Sequence, residues 1–141
     1  MQNAQIFKRR YLLIPLIAIL AYGIYFLMQF SPLEQHVIKK IKVNNLANLY
    51  ITEADAGATT NFSYRYYLFD ATKSDAEFLE SLNDNEQYFL ITEDDKALVS
   101  IENNAIYLNV KGAIFTFHSP GSYRNSTGIY SVPIYLNASP Y

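Results

Sequence analysis

Residues 87–118 read QYFLITEDDKALVSIENNAIYLNVKGAIFTFH, and this stretch decides the fold class. Four runs rich in β-branched and aromatic residues, 87–92, 97–102, 105–110 and 113–118, are separated by three polar breaks. The breaks are Glu93-Asp94-Asp95-Lys96, Asn103-Asn104 and Lys111-Gly112. Asparagine and glycine tolerate the left-handed backbone that tight turns require. Such spacing predicts a meander of four antiparallel strands.

The neighbouring sequence extends the same pattern. Phe62–Phe69 (FSYRYYLF) alternates strictly, with Phe62, Tyr64, Tyr66 and Leu68 on one face and Ser63, Arg65, Tyr67 and Phe69 on the other. Leu46–Thr52 reads as a further strand. Ser74-Asp75-Ala76-Glu77 fits a capping box, which predicts a short helix over about Asp75–Leu82. Beyond 118, Ser119–Gly128 reads as a polar loop, and Ile129–Leu136 as a last strand. Pro133 has no N–H to give a ladder and so places that strand at an edge. The fold class expected is α+β, mostly antiparallel β: a meander or small barrel-like sheet with one short helix.

A different pattern occupies the N-terminal fifth. Tyr11–Phe30 (YLLIPLIAILAYGIYFLMQF) has no charge and one polar side chain, Gln29. About 20 apolar residues match the thickness of a bilayer's hydrocarbon core, so a single transmembrane helix is expected. The bulky exit before Ser31-Pro32 lacks the small residues of a cleavage site, which makes the helix an uncleaved signal anchor. Lys8, Arg9 and Arg10 precede it and put the N-terminus in the cytoplasm. Expected boundaries are a basic cytoplasmic flank over 1–10, the transmembrane helix over 11–30, a juxtamembrane stalk over 31–45, and an extracytoplasmic β-rich domain over 46–141.

Charge is partitioned along the chain. The 141 residues carry a net charge of -2. From Asn48 onward, however, 12 acidic residues face 5 basic ones, a net of -7. Asp70–Asp95 alone holds nine carboxylates. An acidic domain of this kind disfavours nucleic acid and suits a basic protein partner. Asp75, Glu77, Glu80 and Asp84 are the candidate residues for that contact. Tyr123, Arg124 and Tyr130 join them, because tyrosines near a loop serve well as interface anchors.

Catalytic signatures are not evident. The chain has no cysteine, which excludes thiolate zinc sites, a Cys nucleophile and disulfides. His36 and His118 stand in no metal-binding spacing, and no nucleophile elbow surrounds any serine. The five glycines make no phosphate-cradling loop. No enzyme activity, no metal and no small-molecule cofactor are expected.

The Lys8-Arg9-Arg10 flank, the apolar 11–30 segment and the compact domain behind it together resemble the small membrane-anchored bacteriocin immunity proteins, the pesticin immunity kind among them. The resemblance implies an inner-membrane, single-pass protein whose periplasmic domain binds and blocks an envelope-acting toxin. Ser126-Thr127-Gly128-Ile129-Tyr130 is also similar to the Ser-Gly-x-x-Tyr loop of periplasmic lysozyme inhibitors, with the glycine one position late. Both likenesses imply a binding protein that neutralises a toxin or a muramidase-like, wall-degrading enzyme. The alternative is a bitopic structural or interaction subunit of an envelope assembly.

Overall fold

The alternation in FSYRYYLF becomes a strand buried on both faces, and the domain is built around it. The computed structural model describes residues 4–29, 33–55, 62–84 and 86–140. They fall into two compact units, Met1–Leu33 and Glu34–Tyr141.

The first unit is a helix, α1 (Ala4–Gln29), with Pro15 inside it. The expected transmembrane helix is overturned. Among the described residues, no helix is long and apolar enough to cross a membrane. Phe30 and the Ser31-Pro32 stop lie outside the described residues. The helical reading of the apolar run stands, within α1.

The second unit is mostly antiparallel β. Its strands are β1 (Glu34–Lys42), β2 (Ala47–Asp55), β3 (Ser63–Asp70), β4 (Tyr88–Thr92), β5 (Leu98–Glu102), β6 (Ala105–Lys111), β7 (Ile114–Phe117), β8 (Gly121–Asn125), β9 (Gly128–Val132) and β10 (Ile134–Ser139). A short helix, α2 (Asp75–Ser81), runs into a 3₁₀ turn over Leu82–Asp84. The first sheet has the order β1-β2-β3-β4-β7, the second β10-β6-β5, and β8 pairs with β9 alone.

Two hydrophobic layers lie on opposite faces of the first sheet. Leu49, Ile51, Tyr66 and Leu68 point into the larger core with Ile106, Leu108, Val110, Val132 and Ile134 from the remaining strands. Tyr50, Tyr67 and Phe69 point the other way, onto Phe78 of α2. Burial on both faces explains why β2 is almost continuously inaccessible rather than alternating. The capping box forms as expected: the Glu77 amide donates to Ser74 Oγ, and the Ser74 amide donates to Glu77 Oε2 at 2.8 Å.

Three features differ from the sequence reading. Glu34–Lys42, expected within a stalk, is an edge strand paired with β2 from Glu34↔Asp55 to Lys42↔Asn48, with a bulge after Val37. Its lysines face outward, which hides the alternation and guards the sheet edge against further pairing.

The four-strand meander is also corrected. β4 pairs with β3 and β7, while β5 pairs with β6 in the other sheet. Side chains at the Glu93–Lys96 turn hold this crossover. Asp94 accepts from the Lys96 and Lys111 amides at 2.9 and 2.8 Å, and Thr92 Oγ1 donates to the Ala113 carbonyl at 2.7 Å. Of the expected tight turns, Asn103-Asn104 forms with φ of 52° and 60° between the paired strands β5 and β6.

Lastly, the supposed polar loop contains β8, and the last strand divides at Pro133 into β9 and β10. β10 lies at an edge, parallel to β6. This parallel pair departs from an all-antiparallel sheet. It arises because the Pro133 carbonyl accepts the Ile106 amide at 3.0 Å and starts β10 alongside β6.

Candidate functional site

Arg65 and Tyr67 share the face of β3 that also carries Phe69, and both line a cleft of about 570 Å³. The other walls come from Gln35 of β1, Leu82 and Glu86 beyond α2, Tyr88 and Phe89 of β4, and the segment His118–Ser122. Gly121 permits that last wall. A Cβ there would stand 2.7 Å from Ile134 Cδ1 and 2.8 Å from Leu68 Cδ1, so only glycine lets β8 lie this close to the core.

The polar groups of the cleft are only partly satisfied by one another. Gln35 Oε1 accepts from the hydroxyls of Thr52 at 2.8 Å and Tyr67 at 2.9 Å. Its oxygen thus serves twice, and its amide hydrogens remain to donate. Arg65 lies over the Tyr88 ring, 5.6 Å from the centroid. Its Nε is buried and has no hydrogen-bond partner. A buried donor left in that state costs about 1–3 kcal/mol. Among the described residues, no carboxylate forms an ion pair with Arg65. Burial pushes the Tyr67 hydroxyl above its ordinary value, and Arg65 opposes that shift, first through its hydrogen-bonding contact with the hydroxyl and then through its charge.

Glu86 is the acid of this cleft. Burial raises it above the ordinary 4.5, opposed by the Gln87 backbone, Lys73, Ser81 and Arg124. A fold that favours the neutral acid gains stability from it below the unfolded pKa and loses that gain as pH rises through the higher folded pKa. At pH 7 the buried charge is therefore a net cost. Glu86→Gln is expected to raise the melting temperature at pH 7 and to leave it nearly unchanged at pH 4, measured by thermal unfolding at both values.

The sequence-derived site residues take several roles. Asp75 accepts from Lys40 Nζ at 2.5 Å and from the Tyr50 hydroxyl at 2.7 Å, and its carboxyl is held below the ordinary range by Lys40 first and Tyr50 second. Glu77 is committed to the Ser74 cap, which lowers its pKa as well. Glu80 faces water. The side chain of Asp84 lies outside the described residues. Tyr123 is only 4% exposed and belongs to the larger core. Its ring stacks on Tyr130 at 5.8 Å. Tyr130 is 39% exposed and hydrogen-bonds Thr127 through its hydroxyl at 2.9 Å. Arg124 is exposed, and its charge reaches Glu86.

The loop region favoured on sequence grounds therefore borders the cleft through Ser122. Arg65, Gln35 and Glu86 were not legible as site residues. Arg65 sits within a strand alternation that marks it only as one face of the sheet, and Gln35 and Glu86 are far from it in sequence. Among the described residues, no group of three His, Asp or Glu side chains stands together as a metal-ligand set. Chemically, the cleft is suited to binding: a half-buried cation, several donors and aromatic walls surround one acid. No protein-family model, no curated protein and no solved structure matches this chain.

Proposed function

We propose that residues 34–140 form a protein-binding module that works in the bacterial periplasm and neutralises an envelope-acting toxin or a wall-degrading enzyme. The observation behind this reading is the surplus of carboxylate over the β domain, 12 acidic against 5 basic residues from Asn48 on. Glu80 and Asp95, among these acids, are exposed to water. A surface of this sign accelerates encounter with a cationic protein and repels nucleic acid and anionic lipid. The proposal involves no membrane helix.

The test is protection. Bacteria expressing the full chain are challenged with a panel of bacteriocins and muramidases, and the chain is captured to recover any bound toxin. Survival against one agent, with that agent co-purifying, is the expected result. Glu80→Lys combined with Asp84→Lys is expected to weaken that association tenfold or more at low salt, chiefly through the on-rate. Glu77 is spared in this variant because reversing it would break the helix cap. No protection and no captured agent across the panel would reject the reading.

A further inference from the structure

We propose that the Arg65 cleft is a binding site for a carboxylate that carries an apolar group. This goes beyond the neutralising role and does not depend on it. The volume, about 570 Å³, lies within the range of small-molecule sites, which run from about 300 to 1,000 Å³.

The donors set the ligand's charge. Arg65 stacks over Tyr88, so its flat face is covered while N–H groups remain in the guanidinium plane. Its Nε has no partner, and no carboxylate among the described residues pairs with it. Gln35, whose oxygen is already engaged by Thr52 and Tyr67, adds amide donors at the same cleft. Ser122 adds a hydroxyl.

The anion is a planar monoanion rather than a phosphate. A single guanidinium matches a carboxylate in a two-bond fork. Glu86 lines the same cleft, and its negative charge would oppose a dianion far more than a monoanion. The apolar requirement comes from Leu82, Phe89 and Pro120, which line the cleft beside these polar groups and offer no hydrogen-bonding side chain to a ligand. A free organic acid and the C-terminal residue of a peptide share this chemistry.

The experiment is an NMR titration of the full chain, following the Arg65 Nε–H resonance in the unaltered chain and the Ser122 backbone amide in that chain and in every variant. The probes are 3-phenylpropionate, 3-phenylpropionamide, inorganic phosphate, and a hexapeptide ending in phenylalanine with a free C-terminus. The proposal expects a saturable shift with the carboxylates and at least tenfold weaker binding of the amide and of phosphate. Arg65→Met should weaken carboxylate binding at least tenfold while leaving amide binding unchanged. Arg65→Lys, which keeps the charge without the fork, should fall between. Tighter binding of the hexapeptide than of 3-phenylpropionate assigns a peptide terminus, and the reverse assigns a free acid. Equal binding of acid and amide, tighter binding of phosphate, or no saturable shift with either carboxylate overturns the proposal. If Arg65→Met fails to fold, the acid–amide comparison on the unaltered chain and Arg65→Lys still decide it. The cell-challenge test is separate, so the two ideas fail independently.

Discussion

Phe78→Ala is expected to destabilise the β domain by about 3–5 kcal/mol, the range for deleting a fully buried phenylalanine. Phe78 is 0% exposed and is the only buried residue of α2. Its ring stacks on Tyr50 with centroids 4.0 Å apart and meets Tyr67 and Phe69 edge-on at 5.5 and 5.2 Å. Each such aromatic pair is worth about 0.5–1.5 kcal/mol beyond the area it buries. A helix of 7 residues has little stability of its own, so this side chain is what docks it. Losing it also loosens the Asp75 contacts with Lys40 and Tyr50. Denaturant unfolding followed by fluorescence should show a lower midpoint, with near-UV circular dichroism weakened by the freed tyrosines. A cost below about 1 kcal/mol would mean that α2 is held by something other than its aromatic contact. Phe78→Leu, which keeps most of the volume, should cost much less.

Gly121→Val is expected to cost about 3 kcal/mol through overpacking. The added Cβ alone would stand 2.7 Å from Ile134 Cδ1, 2.8 Å from Leu68 Cδ1 and 3.3 Å from Phe89 Cδ1. Those three residues are 5%, 0% and 3% exposed, so they have little room to yield. Gly121→Ala should cost less, because one methyl displaces only side-chain ends. The sharper check is a double-mutant cycle. Combining Gly121→Ala with Ile134→Val removes the Cδ1 atom in the way, and the pair should be more stable than the sum of the single losses implies. Additive losses would show that β8 does not rest on Ile134 as the geometry requires.

How much of this was legible in the sequence varies by element. The strand over Phe62–Phe69, the Asn103-Asn104 turn and the Ser74–Glu77 cap were readable because each depends on residues at most a few positions apart. Periodicity, left-handed tolerance and an N-cap are local properties. Glu34–Lys42 was not readable as a strand, because its lysines are those of a guarded sheet edge and resemble a charged stalk. The meander failed for a different reason. The turn at Glu93–Lys96 looks like a hairpin, yet Asp94 is spent on the Lys111 amide, and the chain passes into a second sheet.

The candidate site was the least legible part. Its carboxylates on α2 were picked by abundance, and folding commits Asp75 and Glu77 to holding the helix in place. Arg65, Gln35 and Glu86 converge from β1, β3 and the segment after α2, and no local pattern joins them. Tyr123 was chosen as a tyrosine near a loop, whereas the β8–β9 pairing turns it into the core.

By itself the sequence determined an acidic, β-rich domain from residue 46 on, its strongest strands, one capped helix, and a helical apolar segment ahead of it. Only the tertiary structure decided how the strands divide between sheets, that β6 and β10 run parallel, which acids are engaged, and that Arg65 lies in a cleft with its Nε unpaired. The division has one physical cause. Backbone preference and side-chain alternation act over a few residues, whereas pairing, burial and charge satisfaction depend on segments tens of residues apart.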